Sequence, residues 1–572
     1  MVSEQDTNMS TRDLFCLACR LYHRLVISCD QSEMTILRRV IQFVLRIHSW
    51  SGGETTMQEK AIQTISKWRF LPAGLIVVAI ASIASNGTSA AQNVHNNEFV
   101  RRNGTRLTLA GKDFRYSGSN IEWLGIEAYG PDDAQGPRYP SHAEVDDVLD
   151  TAAMMGARVV RSQTMGDSVG CDLCLEPSAG VFNPAAFKTV DYAIKAAHDR
   201  GIRLIITLVG DCANCVAGGE GEYVAWKGRK NPSEFFTDPA VISAFEGHIA
   251  ALLNHKNVYT GIAYKDDPTI LAWEDCNVCG LMALSQFAHD PEPYLQWINT
   301  IGNFVKSIDK NHLYEDNSGF FLFDPRALDA RSVDIDTAEY YPHWDKLFGF
   351  GQKTTAATFI KHAAMVTSKD NVYVVNEFGW DATDWPTRED LEKVLKTLES
   401  DPNIRGDDFW ALQAHADKFG WQPISAPANS ASYAKWGETG QWWSMFYGGV
   451  RTLTNTAQDM QARAELLRTH AYVMAGLPVP AYPVPAAPII TFKGIGLLGW
   501  HGSAGAVVYT VQRRADDSAK WETVCDRCAT DADAPWIDKE AATFPLAILF
   551  STRYRVIAYN ADGVASTPSA ER

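Results

Sequence analysis

Between Arg115 and residue 478 the chain alternates short apolar runs with longer amphipathic stretches, eight times over. Strands rich in Val, Ile and aromatic residues that alternate with helices build a parallel sheet, because each helix must return the chain to the starting edge. The strands are expected at Arg115–Ile121, Arg158–Gln163, Arg203–Val209, Ile270–Glu274, His312–Asp316, Val333–Tyr340, Val372–Phe378 and Asp407–Leu412. Helices are expected at Glu144–Met155, Pro184–Arg200, Pro239–Asn254, Tyr294–Asp309, Ala356–Thr367, Arg388–Glu399 and Gln458–Met474. Eight such units over roughly 360 residues suit an α/β (β/α)8 TIM barrel with enlarged loops. A doubly wound open sheet is the alternative, but no Gly-rich phosphate loop follows the first strand.

The flanks read differently. Asn103-Gly104 between alternating segments of Phe99–Tyr116 predicts a hairpin that caps the larger domain. At the other end, Gly476 to Pro488 is Pro-rich, which ends the last helix and predicts an extended, stiff linker at 479–488. Beyond it, the alternating runs Ala506–Arg513, Trp521–Val524 and Arg553–Tyr559 predict a small all-β sandwich domain over 489–572. The barrel domain is thus expected over 92–478.

Residues 57–91 read as a secretory signal: Lys60, Lys67 and Arg69 open it, Phe70 to Ile83 form an apolar run, and Ser89-Ala90-Ala91 offers a cleavage site. The run is too short to span a bilayer comfortably. Met57 is the natural start of that signal, so residues 1–56 are read as an over-extended gene start, the rival reading being a cytoplasmic tail before a short membrane anchor. The mature chain is expected to be secreted or periplasmic, with no stable membrane span, and monomeric. Of 11 cysteines, Cys16, Cys19 and Cys29 fall in the extension. The other eight form four CxxC pairs: Cys171/Cys174, Cys212/Cys215, Cys276/Cys279 and Cys525/Cys528. In an oxidising compartment short-loop disulfides are the favoured state, with a zinc site or redox chemistry as alternatives. Three pairs follow the second, third and fourth strands and would stiffen one side of the barrel rim. The excess of 68 acidic over 52 basic side chains argues against a nucleic-acid partner. The 17 Trp hint at surfaces that stack on sugar faces.

In a TIM barrel the chemistry sits where strands end. Those ends carry Arg161, Asp211, Glu274, Asp275, Asn277, Glu339, Tyr341, Glu377 and Trp410. Carboxylates gathered with an Arg, a Tyr and Trp residues are what glycoside hydrolysis requires. Trp226 and Trp273 read equally well as core or as sugar platform, and Trp436, Trp442 and Trp443 as cleft rim or core.

The segment "GEYVAWKG…FFTDP…YTGIAYKDDPTILAWE" is similar to the mannanase branch of glycoside hydrolase family 5, and the resemblance runs from residue 96 to about 415. Further matches are "YSGSNIEWL", which places Trp123 near the substrate, "VVRSQ" with Arg161, "VYVVNEFGW" with Glu377, and "DDFWAL" with Trp410. The resemblance implies a retaining double displacement on a β-linked mannan or related polysaccharide or oligosaccharide. Glu377 would be the nucleophile, Arg161 would hold it ionised, Tyr341 would hydrogen-bond it, Asn277 would contact substrate and Trp410 would stack on the sugar. No cofactor or metal is implied. In the C-terminal region "YTVQRR…WETV…YRVIAYNADG" resembles a fibronectin type III module.

Two positions depart from the family's pattern. Its fourth strand ends W-E-x-x-N-E, whereas here Val278 follows Asn277 where the acid/base Glu would stand. Its sixth-strand H-x-Y-P appears as Glu339-Tyr340-Tyr341-Pro342, so a carboxyl has replaced a His. Three accounts follow: Glu339 is a relocated acid, Asp275 or Glu274 takes the role, or the chain is a pseudoenzyme that binds glycans without cleaving them.

Overall fold

The computed structural model describes residues 97–127, 137–210, 218–277, 292–317, 326–343, 355–422, 444–449, 456–516, 519–532 and 534–572. The expected signal and extension, Asp211, Cys212, Cys215, Val278, Cys279, Trp436, Trp442 and Trp443 lie outside the described residues. The elements below all belong to one compact unit, Ala91–Pro342 with Thr354–Arg572.

Eight strands close into a parallel barrel: Gly118–Asn120, Val159–Ser162, Arg203–Thr207, Ile270–Glu274, Leu313–Asp316, Ile335–Tyr340, Val372–Gly379 and Ile404–Trp410. The eighth strand pairs with the first through Asp408↔Gly118 and Phe409↔Ser119, which closes the sheet and excludes the open alternative. Helices Pro184–Arg200, Pro239–Asn254 and Ala356–Thr367 have their expected bounds. Two of them start at Pro after an Asn183 or Asp238 cap, where the missing N–H costs no helical bond. A capping box of Ser141 and Glu144 starts helix His142–Met154.

A three-stranded antiparallel sheet, Val100–Asn103, Arg106–Leu109 and Lys112–Phe114, precedes the barrel. Gly104 takes a φ of 59° in its first turn, a conformation that glycine adopts at little cost. Val100, Leu107 and Phe114 share a buried cluster with Val159, Leu313, Ile335 and Val372, each the first residue of its strand. The hairpin sheet therefore plugs the N-terminal end of the barrel and leaves the opposite end for chemistry.

The C-terminal region contains two three-stranded antiparallel sheets, Ile489–Lys493, Leu497–His501 and Trp536–Ile537 in one, and Val508–Arg514, Glu522–Ala529 and Arg553–Tyr559 in the other. Ile490, Leu498 and Trp500 of the first share a core with Tyr509, Val511 and Val556 of the second. This region docks directly on the barrel. His415, beyond the eighth strand, lies 3.0 Å from Asp147 and 3.1 Å from Asp531. Asp531 also accepts from Tyr509 and the Trp500 indole. The Pro-rich linker packs as well: the Arg468 guanidinium lies 3.9 Å from the Tyr482 ring centroid, and Asn560 donates to the Pro483 carbonyl.

Cys171–Cys174 and Cys525–Cys528 are disulfides, the state expected for them. Among the described residues no group of three or more His, Cys, Asp and Glu has an arrangement that could hold a metal ion.

Candidate active site

The strand ends converge on Arg161, which is fully buried on the second strand. Its Nε and Nη2 grip Glu274 at 2.7–3.1 Å, its Nη1 donates to Glu377 at 2.8 Å and to Asn120 at 2.9 Å, and Nη2 donates to Asn277 at 2.7 Å. A planar fork with five donors can serve four partners at once, where a Lys could not. Burial alone would lower the guanidinium pKa, but Glu274, Glu377 and Glu339 together raise it well above its ordinary value.

Glu377 lies near the C-terminal end of the seventh strand and accepts from the Tyr341 hydroxyl at 2.5 Å on the oxygen that Arg161 leaves open. Burial raises its pKa, and Arg161 and Tyr341 oppose that rise without cancelling it. The expectation that Arg161 holds Glu377 ionised is thus half of the physics, because the pocket that brings the cation close also removes water. Glu339 is the register partner of Glu377 on the adjacent sixth strand. Its Oε1 accepts from Asn317 at 2.9 Å and lies 4.0 Å from Arg161, while Oε2 is buried without a protein hydrogen-bond partner. Burial first, and then the charge of Glu377, pushes its pKa well above the carboxylate range.

The other expected residues divide. Asn277 joins the cluster through Arg161, and the half-buried Trp410 ends the eighth strand. Glu274 is consumed as a counter-ion, since besides Arg161 it accepts from Thr207 and Asn376. Asp275 spends Oδ1 on the amides of Cys276 and Asn317. Trp273 is core, its indole donating to Asp309. Trp226 is half-buried and packs edge-on against Tyr223. Trp123 is only 4% exposed and donates to the Leu412 carbonyl, so it is buried against the segment that follows the eighth strand.

One site residue escaped the sequence reading. Glu122, next to Trp123 in the same motif, accepts from Gln413 at 3.3 Å and leaves Oε2 without a protein partner. Burial lifts its pKa to about 7, the Gln413 bond opposes the lift, and the charge of Glu377 adds to it. Its only sequence signal was its place beside Trp123, because Glu122 lies beyond the end of the first strand, where alternation no longer fixes the face of a side chain. Glu315 and Asp408 were missed too; burial keeps both carboxyls well above their ordinary range beneath the Arg161 cluster.

Comparison with known proteins identifies the family. The family model described as GH family 5 beta-mannosidase-like matches residues 97–384. Mannan endo-1,4-beta-mannosidase 1 of Arabidopsis thaliana is 36% identical over 219 residues, 38% of this chain and 49% of that one. Mannan endo-1,4-beta-mannosidase 1 of Oryza sativa subsp. japonica is 32% identical over 247 residues, 42% of this chain and 54% of that one. The chain thus spans about half the length of these two relatives. A glycoside hydrolase family 5 mannosidase variant from Rhizomucor miehei, solved in complex with mannosyl-fructose, superposes with a TM-score of 0.51 at 18% identity, covering 67% of this chain and 99% of that one, a likeness of fold. On the family match and on a barrel whose strand ends gather Arg161, Asn277, Tyr341 and Glu377, the chain belongs to glycoside hydrolase family 5, in its beta-mannosidase-like group.

Proposed function

We propose that this chain is an exported retaining hydrolase of β-1,4-linked mannan or a closely related β-linked glycan. The observation that carries the reading is the held carboxyl of Glu377, gripped by Arg161 and Tyr341 with the buried Glu339 as its register neighbour. Adjacent strands lie about 4.8 Å apart, which suits the separation of about 5–5.5 Å between the carboxyls of a retaining pair.

Glu377 attacks the anomeric carbon and a C–O bond to the enzyme forms as the glycosidic C–O bond breaks. Glu339, relocated from the usual fourth-strand position, gives its proton to the leaving oxygen. It then takes a proton from the water that releases the sugar from Glu377. Trp410 stacks on the sugar, Trp123 backs the pocket wall, and Asn277 holds a hydroxyl. The C-terminal sheets form a fibronectin type III-like sandwich that serves as a docked accessory module.

Reducing-sugar release from β-mannan, glucomannan and cellulose by the chain from residue 92, beside Glu377→Gln and Glu339→Gln, tests the reading. Release that falls on the order of a thousandfold in both variants supports it. Absence of release from every substrate, with mannan binding retained, would instead make the chain a glycan-binding pseudoenzyme.

A further inference from the structure

We infer that Glu122 determines specificity in this site, its free carboxyl oxygen taking a hydroxyl of the sugar unit that stacks on Trp410. The site then selects a sugar unit left unsubstituted at that hydroxyl. The inference rests on the reading of the barrel as a β-mannan hydrolase.

Three observations carry it. Glu122 is rigidly placed, since its backbone carbonyl accepts from the Thr164 hydroxyl at 2.7 Å and the Thr164 amide at 3.0 Å. Its Oε1 is tethered by Gln413, whereas Oε2 is buried without a protein partner. A buried polar oxygen left unpaired is costly, and that cost is relieved when a ligand supplies the missing group. Finally, Glu122 follows the first strand, which pairs with the eighth strand that ends at Trp410. Asn277 and Glu339 follow or end the fourth and sixth strands. Glu122 therefore belongs to the Trp410 side of the pocket rather than to the side of the relocated acid. A carboxyl built to pair a hydroxyl discriminates strongly against a substrate that lacks it, because the site's own group is then left unpaired.

Glu122→Leu and the near-isosteric Glu122→Gln in the full chain, assayed with β-1,4-mannohexaose and with galactose-branched mannan, test the inference. Folding is checked by thermal unfolding. For mannohexaose, Glu122→Leu should raise KM about 10- to 100-fold, the range of one hydrogen bond to a charged group. Its kcat should stay within about threefold of the parent, as removal of ground-state binding requires. Glu122→Gln should lose less, since its amide still reaches the hydroxyl, and the preference for the unbranched substrate should shrink in both. An unchanged KM in a parent that hydrolyses mannan overturns the inference and leaves the functional reading standing. A kcat that collapses and is restored by azide also overturns it, making Glu122 the proton-exchanging group. A parent that neither binds nor cleaves any β-mannan sinks the functional reading, and this inference with it.

Discussion

Glu339 and Glu377 stand side by side as register partners on neighbouring parallel strands, and Arg161 faces both, 2.8 Å from Glu377 and 4.0 Å from Glu339. The same guanidinium also grips Glu274. One buried cation cannot balance three buried anions, which disfavours the fully ionised cluster. Burial first, and then the charge of Glu377, pushes the Glu339 carboxyl well above its ordinary range, while burial raises Glu377 against the opposing pull of Arg161 and Tyr341. The proposed division of roles between Glu377 and Glu339 rests on this difference in their surroundings: Glu377 is bonded by Arg161 and Tyr341, and Glu339 only by Asn317.

Replacing Arg161 with Met should be severe. Glu274 and Glu377 would lose the cation that compensates their burial, and removal of one partner of a buried ion pair costs about 3–5 kcal/mol. Urea unfolding of Arg161→Met measures this; stability within about 1 kcal/mol of the parent would contradict the ion-pair account.

Tyr341→Phe deletes the hydroxyl that stabilises the charged form of Glu377. The Glu377 pKa should rise further, so the acid limb of the pH–rate profile moves to higher pH. The rate at the optimum should fall about 10- to 100-fold. An acid limb that stays in place would mean that the bond does not set the charge of Glu377.

Glu339→Gln gives a signed stability prediction. The folded-state pKa of Glu339 lies well above its ordinary value near 4.5. Its neutral form therefore supports folding below that value, and the support is lost as pH rises toward the folded pKa. Gln stays neutral throughout, so the variant should gain on the parent as pH rises from 4 to 8. Unfolding free energies of both proteins across that range check it, and a constant difference would rule out a protonated Glu339.

The junction with the C-terminal sheets depends on His415. Burial alone would lower its pKa, but Asp147 and Asp531 raise it to about 10 from the ordinary 6.5. The clamp's contribution is complete below pH 6.5 and declines as pH rises through about 10. His415→Leu strands two buried carboxylates and should cost about 3–5 kcal/mol at neutral pH. Calorimetry should show that deficit narrowing toward pH 10; an unchanged deficit would mean that packing, not charge, joins the two regions.

Much of the scaffold was legible in local pattern. Helices such as Pro184–Arg200 carry their own caps and apolar stripe, and the strand Ile270–Glu274 has its observed bounds. Strand edges were less legible. Arg115, expected to open the first strand, instead spends its guanidinium on the carbonyls of Leu398, Glu399, Asp401 and Ile404. The eighth strand begins at Ile404, earlier than Asp407, because Ile404 and Gly406 pair with Tyr373 and Val374 of its neighbour.

What the sequence by itself determined is whatever depends on neighbours along the chain: the eight strand–helix units, the hairpin, and the motifs that carry Arg161, Tyr341, Glu377 and Trp410. Only the tertiary structure closed the barrel, buried Trp123 against Leu412, turned Glu122 toward Gln413, and set His415 between Asp147 and Asp531. Periodicity reports which faces are apolar, whereas charge state and partner choice depend on desolvation by residues hundreds of positions away.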